Sequence, residues 1–265
     1  MSEHTTICPS GLKITVRGLK ASELDLFANK QEAANRMISN KILDACTVTV
    51  EDYGPIYKDL NFTDGDFWDD ILLCDRFSTL LAIRIATHGP DYNFRVKCSS
   101  DSCGKQFEWG MNLQNLEQYE LPMSSYANAF ESAPFRATLS NGHDFYFKLL
   151  RGSDERAIAA QIEKNYRARV TTGLARRVCR VSVDGKDFTD YHRISDWVRN
   201  LTATESLELI SEMDSVDGGY NTEVQIFCPH CSNDMEVNIP FDEEFWIKKP
   251  SSSSKDKRVI RRNQV

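Results

Sequence analysis

Two short stretches of the chain follow one plan, and each carries a pair of cysteines. The first reads Arg95-Val-Lys-Cys98-Ser-Ser-Asp-Ser-Cys103-Gly-Lys-Gln-Phe107-Glu-Trp109, the second Gln225-Ile-Phe-Cys228-Pro-His-Cys231-Ser-Asn-Asp-Met235-Glu-Val237. In both, an alternating run enters the first cysteine, a polar turn separates the pair, and an apolar-Glu-apolar run leaves the second. Alternation of this kind reads as a strand, so each stretch is a strand–turn–strand with two thiols at its tip. A structural zinc ion takes four soft ligands in a closed tetrahedron, and two such knuckles supply four. The spacing therefore predicts a zinc ribbon with Cys98, Cys103, Cys228 and Cys231 as the metal ligands. Gly104, directly after Cys103, suits a turn that needs a positive φ.

The gap between the knuckles is 124 residues. Closing so long a loop costs roughly 4 kcal/mol or more in chain entropy. Structural zinc supplies about 10–16 kcal/mol, so the metal can win, and a compactly folded excursion shortens the effective gap. Other readings of the same residues are free thiols, a disulfide within each pair, or a Cys-x-x-Cys redox motif. Strand-like residues follow both pairs, where a redox motif opens a helix. Iron also accepts four thiolates, and a colourless protein would exclude it. His230 sits between two better ligands and reads as a bystander.

The 265 residues suit one large or two modest domains, and the 41% hydrophobic content supports a core. No apolar run reaches the length of a membrane span, and the N-terminus lacks the basic start and apolar core of a secretory signal. Cys8, Cys46, Cys74 and Cys179 show no paired spacing and read as small core residues. Free thiols and zinc both suit a reducing interior. The net charge of −7 is uneven: residues 248–265 hold seven Lys or Arg and one Asp, so the rest carries −13. An acidic body with a basic tail argues against a general nucleic-acid binder.

The organisation along the chain is α+β. A strand spans Gly11–Arg17, Ser22 caps a short helix, and a second helix covers about Gln31–Ala45. Thr63 and Asp66 give a capping-box-like start to a helix running to Thr87, stopped by His88-Gly89-Pro90. That helix is apolar nearly all round, as in a core or against a partner. A linker rich in Leu, Gln and Asn follows the first knuckle. Phe135–Leu149 is a hairpin whose Asn141-Gly142 suits a type I′ turn. Helices are expected over Ser153–Ala168, Tyr191–Asn200 and, opened by the Thr202–Glu205 capping box, to Asp214. Val178–Phe188 folds back at Asp184-Gly185. The expected division is a strand and helical region over 1–92, a split ribbon over 93–110 and 223–240, an α+β insert over 111–222, and a terminal segment with a basic tail over 241–265.

No phosphate loop, nucleophile elbow or H-E-x-x-H pattern is present, and the five histidines are scattered. Asp64, Asp66, Asp69 and Asp70 crowd a helix start, where carboxylates favour the positive terminus. A four-thiolate site has no open position for water, so the chain is expected not to be an enzyme.

The run Leu80-Leu-Ala-Ile-Arg-Ile-Ala-Thr-His-Gly-Pro-Asp-Tyr-Asn-Phe-Arg-Val-Lys-Cys98, the motif Phe227-Cys-Pro-His-Cys231 and the closing Phe241-Asp-Glu-Glu-Phe-Trp246 together resemble the baseplate hub subunits of T4-like contractile-tailed bacteriophages. The resemblance covers about Gly11 to Trp246. It implies a non-enzymatic building block of the virion tail baseplate, assembled in the host cytoplasm and contacting other hub, wedge or tail subunits. No membrane or small-molecule partner is expected, and the acidic body disfavours nucleic acid. Phe67, Trp68 and the basic tail are the expected partner contacts, since aromatic and Arg residues are typical anchors. The alternative is a zinc-ribbon nucleic-acid-binding accessory protein. Against it, the strands after the knuckles carry Glu108 and Glu236 rather than a basic face.

Overall fold

The computed structural model describes residues 2–28, 37–128, 133–164, 166–241 and 243–246. The chain divides into two compact units, residues 1–90 with 112–222, and residues 91–111 with 223–265.

In the first unit, strands β1 (Glu3–Ile7), β2 (Lys13–Arg17) and β3 (Thr47–Asp52) form an antiparallel sheet in that order. Leu12, Ile14 and Val16 are buried. Against this sheet lies the helix Leu73–His88, and the order α1 (Ala21–Leu24), α2 (Met37–Cys46) and α3 (Phe67–Asp70) makes it α4. Leu81, Ala82 and Ile83 fill its inner surface. Asp75 is fully buried on α4 and ties three segments together. It accepts hydrogen bonds from the Ser10 N–H (3.0 Å) and the Tyr57 hydroxyl (2.5 Å), and the Tyr57 hydroxyl accepts from the Leu72 N–H (3.1 Å).

The expected helix from Thr63 to Thr87 is two helices. Ile71 is extended (φ −79°, ψ 137°), and Leu72 bridges Arg151 in place of a helical bond. The Leu73 N–H goes to the Leu150 carbonyl and the Gly152 N–H to the Ile71 carbonyl. Gly152 is obligatory there, because a Cβ would lie 2.2 Å from the Trp68 carbonyl oxygen. Asp66 makes no side-chain cap. Asp69 instead pairs with Arg156 and accepts from Asn40, and Asp70 meets Arg151 at 3.4 Å.

The rest of this unit holds a second antiparallel sheet, β7 (Phe135–Thr138), β8 (Asp144–Phe147), β9 (Val178–Val183) and β10 (Lys186–Phe188), in the order β10-β9-β8-β7. The helices are α5 (Gly152–Lys164), α6 (Arg169–Arg177), α7 (Tyr191–Arg199) and α8 (Ala203–Ser215). Phe145, Phe147, Val181, Leu174, Ile194, Val198, Leu209 and Met213 make one core between sheet and helices. The Thr202–Glu205 capping box is present as read. Asp184 and Gly185 both have positive φ, as a type I′ turn requires. Asn141-Gly142 does not make that turn. Only Gly142 has positive φ there (+80°), and the Asn141 side chain accepts from the His143 N–H within a longer loop.

Two elements had no clear sequence signal. Strand β1 is polar because one edge and one face are open, and α6 hides its buried Leu174 and Ala175 among Arg, Thr and Gly173. Of the expected helix Gln31–Ala45, residues 31–36 lie outside the described set, as do Asp242 and residues 247–265 with the basic tail. The neck of the excursion closes within this unit: β6 (Gln118–Tyr119) pairs with β11 (Gly219–Tyr220), and the Asn221 N–H donates to the Glu117 carbonyl (2.9 Å).

The second unit consists of two strand pairs, β4 (Asp91–Lys97) with β5 (Gln106–Asn112), and β12 (Glu223–Phe227) with β13 (Asp234–Asn238), followed by the short helix α9 (Glu243–Trp246). Strand β4 alternates strictly, burying Tyr92, Phe94 and Val96. With Ile226, Met235, Ile239 and Phe245 they form a small core. Tyr92 meets the Phe245 ring edge-on at 5.1 Å and donates its hydroxyl to the Pro240 carbonyl (2.8 Å).

Candidate metal centre

Each cysteine pair sits at the tip of one strand pair, and the two turns are closed alike. The Cys98 N–H donates to the Lys105 carbonyl and the Cys228 N–H to the Asn233 carbonyl, both at 2.9 Å. Each second cysteine is followed by a left-handed residue, Gly104 (φ +54°) after Cys103 and Ser232 (φ +57°) after Cys231. The positive φ turns the chain back into the outgoing strand while the thiol keeps facing its partner. The shorter Cys-x2-Cys turn adds an N–H of Ser232 to the Cys228 carbonyl (2.8 Å), and the longer one an N–H of Gly104 to the Ser100 carbonyl (3.0 Å).

The four Sγ atoms lie within 4.8 Å of one another, and among the described residues they are the one His/Cys/Asp/Glu group gathered closely enough to hold an ion. Cys98 and Cys231 are 3.6 Å apart and Cys103 and Cys228 3.9 Å, so each close pair crosses from one knuckle to the other. Zinc–sulfur bonds of about 2.3 Å in a tetrahedron give S···S edges of ~3.8 Å. The two distances bracket that edge and exceed a disulfide's length of about 2.05 Å; all four are free thiols. The donor set thus fits a four-coordinate thiophilic metal, which when bound would fasten the two hairpins at their tips. Cys98 and Cys228 are buried, Cys103 half-buried and Cys231 exposed. His230 is exposed on its turn and lies outside the cluster.

Backbone and neighbours prepare the thiols unequally. Burial pushes Cys228 up, but the N–H groups of His230 and Cys231 and the thiols of Cys231 and Cys98 outweigh it and bring Cys228 down to about 7. The Asn233 N–H favours the Cys231 thiolate, yet burial and the three neighbouring sulfurs drive Cys231 up to about 12. Four thiols this close cannot all ionise unaided. A bound cation reverses that repulsion, because a metal-coordinated thiol is deprotonated outright.

The remaining sequence candidates do not join this centre. Cys8, Cys46 and Cys74 are buried in the other unit and Cys179 is half-buried. Burial, reinforced by Asp75, raises the Cys8 thiol to about 12, which leaves it an inert core group. Phe67 and Trp68, expected at a partner contact, are core residues at 3% and 2% exposure. Phe67 stacks edge-on with Phe62 and Trp68, which is why their aromatic bulk does not reach the surface.

The sequence profile of the T4 bacteriophage base plate proteins matches residues 1–245. The chain belongs to that family. It is therefore a bacteriophage baseplate protein, its place is the virion tail baseplate, and it associates with other phage tail proteins. No curated protein and no solved structure matches the chain. Within this baseplate protein the match spans all four cysteines and ends one residue before Trp246, short of the basic tail.

Proposed function

We propose that this baseplate protein is a non-enzymatic assembly component, hub or adjoining wedge, whose smaller unit is clamped by one structural zinc ion on Cys98, Cys103, Cys228 and Cys231. The observation that carries it is the convergence of four thiols from two hairpins at spacings that suit a tetrahedral site. A site closed by four thiolates leaves no position for a reacting water, so the ion fixes shape. In the same reading, 93–110 with 223–240 form the split ribbon, 1–92 a strand and helical region, 111–222 an α+β insert, and 241–265 a terminal segment with a basic tail. Assembly takes place in the host cytoplasm, and the partners are neighbouring hub, wedge or tail subunits rather than nucleic acid, membrane or a small molecule.

The test is metal content of the purified protein together with electron microscopy of assembled tails. One zinc per chain, lost from the Cys228→Ser, Cys231→Ser double variant, and density for the chain at the baseplate are expected. A metal-free protein of the same fold, or a strongly coloured iron site, would remove the zinc assignment. Tails lacking the chain would remove the structural role.

A further inference from the structure

Strand β1 ends the first sheet, and among the described residues no strand pairs with its outer edge. The Cys8 N–H donates to the Leu12 carbonyl, and with Thr6 opposite Ile14 and His4 opposite Val16, alternation sends the N–H and C=O groups of His4 and Thr6 into β2. Those of Glu3, Thr5 and Ile7 point outward. The Ile7 carbonyl accepts from the Gln118 side chain at 3.3 Å, as this parity requires. Among the described residues Glu3 and Thr5 have no backbone partner on that side.

Beside this edge runs an open groove of about 180 Å³. Its apolar wall is Leu81, Ile85 and Leu116, and His4 and Thr6 line it from β1. Its floor is a fixed polar chain, in which Ser78 bonds the Tyr220 hydroxyl at 2.9 Å and Tyr220 donates to Gln118 at 2.8 Å. Gln118, reaching Ile7, closes one end. The volume takes an aliphatic side chain or two, and an added strand would drop alternate residues into it. The charge around it is one-sided. Lys13 and Arg17 of the sheet are neutralised by Glu51 and Glu23. Among the described residues, Glu3 on the edge and Glu117 and Glu120 on the segment beyond are exposed carboxylates with no ion pair.

We propose that the outer edge of β1 is a docking site for one extended segment of a neighbouring tail subunit, aliphatic at alternate positions and flanked by Lys or Arg. It would bind by strand addition, with main-chain bonds to Glu3 and Thr5 giving affinity and the groove selecting side chains. The acidic rim selects basic flanks and disfavours nucleic acid. This inference rests on the assembly reading and names the surface through which that assembly works.

Two probe peptides test it on the full-length protein: acetylated Lys-Arg-Val-Thr-Val-Thr-Val-Arg-Lys, and the same peptide with Glu and Asp for its basic residues. The basic peptide is expected to bind and to slow hydrogen exchange at the amides of Glu3 and Thr5, and the acidic one to do neither. Thr5→Pro removes an outward N–H that β2 does not use, a position where edge strands tolerate proline, and should weaken binding about tenfold, the worth of roughly one hydrogen bond. Leu116→Lys, which leaves the edge intact, should weaken it as well. Equal binding of both peptides, or affinity indifferent to both substitutions, would overturn the proposal. So would slow exchange at Glu3 and Thr5 without peptide together with a concentration-dependent mass, since a second copy would then hold the edge. Should the peptides fail while the protein still enters tail baseplates, this inference falls and the assembly reading stands.

Discussion

On the zinc reading proposed above, stripping the ion from Cys98, Cys103, Cys228 and Cys231 is expected to unfold the smaller unit and leave the larger one folded. About 45 residues of the smaller unit are described (91–111 and 223–246). At the usual 0.05–0.15 kcal/mol per residue, a domain of that size nets about 2–7 kcal/mol. Structural zinc contributes about 10–16 kcal/mol, more than the whole margin. Its core of Tyr92, Phe94, Val96, Ile226, Met235, Ile239 and Phe245 is small, and chains this short usually need a staple. The larger unit does not depend on the ion for closure. The bond from Asn221 to Glu117 already joins the ends of the excursion, so the thiols close a path of roughly 20 residues instead of 124, which lowers the closure cost by about 1.5 kcal/mol. Hydrogen exchange read by mass spectrometry, with and without a strong chelator, separates the outcomes. Peptides covering Asp91–Lys97 and Glu223–Phe227 should lose protection, while those covering Lys13–Arg17 and Leu73–His88 keep it. Unchanged protection of β4 and β12 in metal-free protein would refute the reasoning, and joint collapse of both units would refute the independence of the neck.

Gly152→Ala should cost ~3 kcal/mol or more in urea unfolding, since its Cβ would sit 2.2 Å from the Trp68 carbonyl oxygen. Gly173→Ala, mid-helix in α6 with nothing near its Cβ, should instead stabilise by up to about 1 kcal/mol. Asp75→Ala leaves the Ser10 N–H and the Tyr57 hydroxyl buried without their acceptor, and a loss of about 2–5 kcal/mol in the same assay is expected. Asp217 is pushed up to about 6, by burial first and also by Asp214 and Asp75, against the pull of Arg177. Its folded value lies above its unfolded one, so its contribution is full below about pH 4 and is lost as pH rises through about 6, at most about 3 kcal/mol. Urea midpoints of wild type and Asp217→Asn between pH 4 and 7 should diverge in that window, and parallel curves would contradict the shift.

The knuckles were legible in the sequence because their chemistry is local. Cys-x2-Cys and Cys-x4-Cys turns, the glycine after Cys103 and the alternation of β4 and β12 each declare themselves within a dozen residues. The Thr202–Glu205 cap and the Asp184-Gly185 turn are local in the same way. Sequence patterns also carried the α+β class and the family resemblance. What the sequence did not carry was decided by distant contacts. Helix α4 begins at Leu73 rather than near Thr63 because the Ile71 carbonyl and the Leu73 N–H bond to Gly152 and Leu150, about 80 positions away. Phe67 and Trp68 look like surface anchors in a run of aspartates, yet packing buries them. Strand β1 has no apolar alternation to announce it, since β2 and α4 supply its order. A linear pattern records which faces are apolar and where the backbone can turn. Which faces meet, and so which edge stays open, is a property of the packed chain.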